Sequence, residues 1–379
     1  MRLTFATLHT HGHLYPLIPL ARAARAAGHD VLFATGERFV PLLRELGFRT
    51  AVAGAPMQDG FARVLGDSPR PEPETPEWER VVAGVFGTEL PRAFAADLEP
   101  VLADFRPELV VQEAGAHGAG IAARRAGIPA VCHGFGRAAP GGFAGVGEAL
   151  RGVAAEFGVS LPEGDLRSLG NPYLDIVPKS LQDPEFLATA DRIPLRPVPF
   201  AEAGELPPLR PGRALIYLTL GTAFGDAEVL RRAIAGLSEL DADVLVAAGP
   251  TVETGELGEL PGNVTAHAWV PQADLLPHVD LVVHHGGSGT TLASLAQGLP
   301  QLLLPRGADQ FRNAAAVAEH GSGRQLRGAE VAAESVRDAA AALLHEPGPR
   351  ERAEQAAAEI AAMPSPEEIA ERLPELARR

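Results

Sequence analysis

Short apolar runs rich in β-branched and aromatic residues alternate with Ala- and Leu-rich stretches at helical spacing from one end of the chain to the other, the pattern of an α/β protein. In the first half it predicts strands over residues 3–8, 31–35, 109–112 and 130–133, and helices over 14–27, 37–46 and 116–126. These strands are almost continuously apolar, as parallel strands covered on both faces must be. Between 187 and 214 the alternation breaks, and prolines at 194, 197, 199, 207, 208 and 211 remove donors that a regular element needs. It then resumes, with strands over 214–219, 244–248, 264–267, 281–284 and 301–304, helices over 228–240 and 290–297, and helices from there to the end.

The pattern implies two Rossmann-like domains, 1–193 and 213–379, joined by a stiff linker over 194–212 and facing each other across a cleft. A last helical stretch, 367–377, follows Pro364 and Pro366, and segment 366–379 is expected to pack back across the first domain. Residues 53–78 and 137–171 are rich in Gly and Pro without clear periodicity, and read as long loops lining the cleft.

Composition narrows the function classes. The 379 residues, 46% hydrophobic and 21% charged, can fill two cores. A net charge of −15 opposes phosphate backbones and anionic membranes, so no nucleic-acid partner is expected. The single cysteine, Cys132, has no disulfide partner and sits in an apolar strand with no basic neighbour, which makes it an inert core residue. The first residues show no leader-like apolar region, and no stretch reaches the roughly 18 apolar residues of a spanning helix, so a cytoplasmic protein is expected. His9, His11 and His13 alternate after the first strand, but no carboxylate or cysteine completes a metal site beside them.

The most informative run is Val282-Val283-His284-His285-Gly286-Gly287-Ser288-Gly289-Thr290-Thr291, an apolar strand leading through a glycine-rich turn into a helix. Glycines let backbone approach a ligand closely, and a helix start offers unpaired N–H groups at the positive dipole end, a combination suited to a diphosphate. Ser288 and Thr290 add hydroxyls, and His285 stands where it could donate to phosphate. A tight strand-to-helix turn with capping residues is the plainer reading of the same run.

Trp269-Val270-Pro271-Gln272, His285-Gly286-Gly287-Ser288-Gly289-Thr290, Gly298-Leu299-Pro300 and Asp309-Gln310, the last pair beginning 24 residues past His285, together resemble the donor-binding signature of glycosyltransferase family 1. The resemblance runs through Gly12-His13-Leu14-Tyr15-Pro16, Ser180-Leu181-Gln182-Asp183-Pro184 and Leu218-Thr219-Leu220-Gly221-Thr222, and in detail is similar to actinomycete enzymes that glycosylate antibiotics and other natural products. It implies the GT-B fold, a nucleotide-sugar co-substrate on the C-terminal domain, an acceptor on the N-terminal domain, and metal-independent inverting transfer without a resident cofactor.

On that resemblance the donor is held by Thr222, Trp269, Val270, Gln272, His285, Gly287, Ser288, Gly289, Thr290, Asp309 and Gln310, with Trp269 stacking on the base and Asp309 and Gln310 taking the sugar hydroxyls. Trp269 also reads as a core aromatic, and Asp309 and Gln310 as a helix start. The resemblance gives His13 the role of general base and Glu113 that of its partner; Glu113 also reads as a solvated cap, and His117 competes for the partner role. Where plant members using uridine donors carry a glutamate for the ribose hydroxyls, this chain has Ala293, which favours a thymidine-diphosphate (TDP) sugar over a uridine (UDP) one. Phe61, Trp78, Phe86, Phe135 and Phe143 lie in or beside the irregular segments and read either as an apolar acceptor pocket or as packing. The implied assembly is a monomer or homodimer. Two other classes share the architecture: a sugar-nucleotide 2-epimerase, and a catalytically silent partner of another transferase. The His13 motif and the long irregular segments favour transfer.

Overall fold

The structure is a computed structural model, and it describes residues 1–378 except 73–74, 139–144, 165, 201, 203 and 223–224. Phe143, one of the aromatic residues expected at an acceptor pocket, lies outside the described residues. The chain divides into two compact units. One comprises Met1–Ile176, Asp183–Arg196 and Pro364–Arg379, and the other Val177–Gln182 and Pro197–Met363.

In the first unit β1 (Arg2–Ala6), β2 (Asp30–Thr35), β3 (Arg49–Val52), β4 (Leu109–Glu113), β5 (Ala130–His133), β6 (Tyr173–Asp175) and β7 (Arg192–Pro194) form a parallel sheet in the order β3-β2-β1-β4-β5-β6-β7. In the second unit β8 (Ala214–Thr219), β9 (Ala242–Ala247), β10 (Val264–His267), β11 (Leu281–His284), β12 (Gln301–Leu303) and β13 (Gly323–Gln325) are also all parallel, in the order β10-β9-β8-β11-β12-β13. This is the two-sheet α/β architecture of the GT-B fold. Each order reverses once, between β1 and β4 and between β8 and β11, and ligands of such sheets bind beyond the carboxyl ends of the strands at that switch point. Side chains such as Phe5, Val111 and Phe94 fill the first core, and Ile216, Leu237 and Val283 the second.

The C-terminal helix Pro366–Leu376 packs on the helix Ile18–Ala26 of the first unit, as the sequence suggested. Its start is fixed by Ser365 and Glu368, which cap each other's backbone amides, and the Arg196 amide donates to the Pro364 carbonyl at 2.8 Å.

Several expectations are corrected. The segment 53–78, read as a loop, contains the helix Met57–Leu65 and the start of Pro76–Gly84, and 137–171 contains the helix Val146–Glu156. Gly60 obscured the first of these. A Cβ there would stand 3.1 Å from Leu90 and 3.2 Å from Val85, so the helix gives up propensity to pack closely. The helix expected over 14–27 is interrupted by a 3₁₀ turn at Tyr15–Leu17 that contains Pro16. Strands β3, β6, β7 and β13 were not anticipated, being three or four residues long with no periodicity to read.

Two histidines at strand ends are fully buried. His133 closes β5 and donates from Nδ1 to the Gly134 carbonyl at 2.6 Å, and burial draws its pKa down to about 4. His284 closes β11; its Nδ1 accepts from the Gly286 amide at 3.1 Å, which leaves Nε2–H to donate to Gln301 Oε1 at 2.8 Å. Burial, with His285 adjacent, lowers its pKa to about 3. Both rings are neutral in the fold but take up protons in the unfolded chain below about pH 6.5. Their contribution to stability is therefore complete above that pH and is lost as pH falls toward 4, at up to about 1.4 kcal/mol per pH unit for each ring. Thermal melts between about pH 7.5 and 4.5 are expected to show this decline. His284→Asn keeps an acceptor for the Gly286 amide without the titration, so its melting temperature should fall less steeply with acid than that of the wild type. An identical slope would refute the assignment.

Candidate functional site

The first unit places its chemistry at the β1/β4 switch point. After β1 the chain runs through Thr7 to Thr10 into the short helix His11–Leu14, and the His13 amide donates to the Thr10 carbonyl at 3.2 Å. Glu113 is the last residue of β4, the neighbouring strand. His13 Nδ1 lies 2.9 Å from Glu113 Oε1, with the histidine side chain 15% exposed and the carboxylate 0%. The buried carboxylate accepts from the Gly115 amide at Oε1 and from the Leu8 amide, 3.4 Å away, at Oε2. That set of donors compensates its removal from water. Gly115 has to be small, because a Cβ there would stand 3.1 Å from both Glu113 Oε1 and His13 Cε1.

Phe135 packs on the His13 ring, centroids 4.2 Å apart, so of the aromatic residues expected at an acceptor pocket this one touches the imidazole itself. His9 donates from Nε2 to the Ala53 carbonyl at 2.7 Å, and burial lowers its pKa. His11 meets the rings of Tyr15 and Phe39 edge-on. The three alternating histidines thus go to three different places. His117 is buried at the start of the helix His117–Arg125, while the carboxylate beside His13 is that of Glu113. Among the described residues no three His, Cys, Asp or Glu side chains gather as a metal site would require.

Phe61, Trp78 and Phe86 do come together. Phe61 stacks parallel to Trp78 at 5.8 Å and meets Phe86 edge-on at 6.1 Å. The Arg70 guanidinium, which the sequence reading missed, lies 4.8 Å from both the Phe61 and Trp78 rings.

The second unit places its groups at the β8/β11 switch point. The helix Ser288–Ala296 starts at Gly287 with no side-chain cap, so the positive end of its dipole is unscreened by a capping oxygen. Gly286 adopts φ +89°, a conformation glycine tolerates, and a Cβ there would stand 3.0 Å from the Gln310 carbonyl. The His285 ring fits between Gly221 and Gly287, and a Cβ at either would overlap it. The protein around it lowers its pKa to about 4, partly offset by a hydrogen bond with the Thr219 backbone. At neutral pH it brings a phosphate no positive charge. Thr222 follows Gly221 in the turn after β8.

The polar side chains expected at the donor are bonded to one another. Ser288 Oγ donates to Asp309 Oδ2 at 2.7 Å, and Thr290 Oγ1 to Gln272 Oε1 at 3.2 Å. Gln310 is buried, and its Oε1 accepts from the Arg306 amide at 2.8 Å and the Gly307 amide at 3.0 Å, holding the loop before its own helix. Gly289 is exposed in the first turn of its helix. Trp269 is 46% exposed, which excludes the reading of it as a core aromatic. Val270 is the reverse: its side chain lies in an apolar cluster with Tyr217 and Leu275, so it can offer a ligand only its backbone. Ala293, 3% exposed, belongs to the same cluster, and a carboxylate at that position would have to be buried among apolar groups.

Comparison with known proteins matches these features. The family model described as the C-terminal domain of erythromycin biosynthesis protein CIII-like proteins covers residues 231–376. The L-demethylnoviosyl transferase of Streptomyces niveus is 34% identical over 344 residues, 86% of this chain and 85% of that protein. The elloramycin glycosyltransferase ElmGT of Streptomyces olivaceus is 33% identical over 98% of this chain and 97% of its own. Among solved structures, the glycosyltransferase VinC in complex with dTDP superposes with a TM-score of 0.80 at 26% identity, covering 100% of both chains. Sheet order, signature residues and these relatives agree, and the chain belongs to the GT-B glycosyltransferases of actinomycete antibiotic biosynthesis.

Proposed function

We propose that this glycosyltransferase moves a sugar from a TDP-sugar onto a hydroxyl of an apolar natural-product aglycone, with inversion at the anomeric carbon and with His13 as the general base. The observation that carries the reading is the 2.9 Å approach of His13 Nδ1 to the buried Glu113 carboxylate at the β1/β4 switch point. A proton on Nδ1 facing Glu113 leaves Nε2 as the basic nitrogen, and the carboxylate steadies the imidazolium as it forms. In the proposed step Nε2 takes the acceptor hydroxyl proton while the acceptor oxygen bonds to the anomeric carbon. The bond from that carbon to the diphosphate oxygen breaks, and its electron pair leaves with the diphosphate. Phe135 packs on the imidazole and helps fix the orientation of its ring.

On the donor side, the uncapped start of Ser288–Ala296, with Gly287, Gly289 and Thr290 in or beside its first turn, supplies the positive potential that meets the leaving diphosphate. Thr222 adds a hydroxyl, and His285 stands beside the turn as a neutral ring. Trp269 offers the exposed face on which a pyrimidine stacks, with the Val270 backbone and Gln272 beside it, and Asp309 and Gln310 stand for the sugar hydroxyls. A thymidine nucleotide is favoured because the similar VinC structure holds dTDP. The acceptor surface is assigned to Phe61, Trp78 and Phe86, whose rings form one half-buried group.

Two measurements test the halves separately. His13→Ala is expected to lower turnover by about 10²-fold or more while leaving the calorimetric affinity for TDP unchanged, because the imidazole acts on the acceptor. Near-normal turnover with a hydroxyl acceptor would falsify the role of His13. Trp269→Ala is expected to weaken TDP binding by roughly 1–3 kcal/mol, the worth of a base–aromatic stack, with the thermal melt little changed because the ring is exposed. Competition between the two diphosphates on the wild type should favour TDP or show parity. A strong preference for UDP would overturn the choice of donor base.

A further inference from the structure

Asn313 lies one turn beyond Asp309 on the helix Gln310–His320 and is 4% exposed. Its side-chain amide carries two hydrogens and faces three acceptors: the Gly286 carbonyl at 2.8 Å, Ser288 Oγ at 3.0 Å and Asp309 Oδ2 at 3.0 Å. One amide thus joins the backbone of the glycine-rich turn, the first residue of the helix that turn opens, and the acid on the next loop. The loop itself is constrained. Ala308 adopts φ +55°, which a residue with a side chain rarely does, and Gln310 Oε1 holds the Arg306 and Gly307 amides. Asp309 Oδ2 receives a second hydrogen bond from Ser288 Oγ, at 2.7 Å.

We propose that Asn313 is a positioning residue that couples diphosphate binding at the glycine-rich turn to sugar recognition by Asp309. The inference rests on the reading in which Asp309 accepts from the donor's sugar hydroxyls. The Ser288 hydroxyl has one hydrogen, and in this structure it goes to Asp309. Given instead to a diphosphate oxygen, it leaves Oδ2 short of a donor, and a sugar hydroxyl fills that deficit. Asn313 keeps its own hydrogen bond to Oδ2 throughout, so the carboxylate stays aimed while its second bonding position changes partner. Its bond to the Gly286 carbonyl keeps the turn and the acid in fixed register. Without Asn313 the diphosphate still meets the helix start, but the acid that should meet the sugar is no longer held.

The test compares affinities for TDP and for TDP-glucose, with no acceptor present, by calorimetry. Asn313→Leu removes the donors, keeps the branched shape of the side chain and adds no charge. It is expected to weaken TDP-glucose by about tenfold or more, the loss of one hydrogen bond to a charged group, and TDP by no more than about threefold. In an Asp309→Ala background the same substitution should cost nothing further for TDP-glucose, because a residue that acts only through Asp309 has nothing left to position. Thermal melts verify that each variant is folded, and Asn313→Ala serves for the same comparison if the leucine variant is not. Equal weakening of both ligands, or additive losses in the double variant, would show a merely structural role and overturn the proposal. If Asp309→Ala alone leaves TDP-glucose affinity unchanged, the sugar-site reading of Asp309 falls, and the coupling falls with it. If Asp309→Ala weakens TDP-glucose and Asn313→Leu does not, only the coupling falls.

Discussion

Everything this protein offers a substrate depends on one constraint of parallel sheets: where strand order reverses, the chain leaves two adjacent strands toward opposite sides, and the space beyond their carboxyl ends stays open. β1 beside β4 creates that space in the first unit, and β8 beside β11 creates it in the second. His13 follows β1 and Glu113 ends β4, so residues 100 positions apart meet without any loop having to reach. Gly221 and Thr222 follow β8, and the glycine-rich turn follows β11. Each unit thus assembles its chemistry from two turns anchored on hydrogen-bonded neighbours, which gives the side chains rigid supports.

The glycines around these turns are there for clearance as much as for conformation. Gly221 and Gly287 make room for the His285 ring, Gly115 makes room for Glu113 and His13, and Gly286 lets the loop carrying Gln310 close on the turn. A side chain at Gly221 or Gly287 would press on the His285 ring, one at Gly115 on Glu113 and His13, and one at Gly286 on the Gln310 backbone. Close packing also sets the charge of His285, which is held neutral between Gly221 and Gly287. The Leu8 and Gly115 amides and the His13 ring all face Glu113.

The central strands and the two switch-point turns were legible in the sequence because their signals are local: continuous apolar runs ending in Gly, His, Ser or Thr. The exposed ring of Trp269 and the adjacency of His13 and Glu113 accord with what the resemblance implied. What escaped depends on long-range packing. Gly60 disguises the helix Met57–Leu65, and β6 and β7 are too short to show a period. Asn313 lies inside an ordinary Ala-rich helix, with nothing nearby to mark it as the residue that gathers Gly286, Ser288 and Asp309. His284 reads as one more residue of an apolar strand, yet it pins the Gly286 amide. The burial of Val270 and Ala293 was equally out of reach, since a motif position does not reveal whether a side chain faces a ligand or the core.

A net charge of −15 bears on how an anionic donor is held, because the field of the whole molecule opposes it. In the proposed donor site, with His285 neutral, the attraction comes from short-range sources: the uncapped start of Ser288–Ala296 and the hydroxyls of Thr222, Ser288 and Thr290. Such sources lose strength within about one helical turn, so they favour a diphosphate seated in the turn and do little for one at a distance. The same short range suits release. On the proposed reading, Asp309 and Gln310 contribute nothing to the nucleoside diphosphate once the sugar has left, and what retains it is the stack on Trp269 and the dipole of a single helix. A site with a buried cation at the phosphates would hold the product more tightly, and here the packing that neutralises His285 works against that.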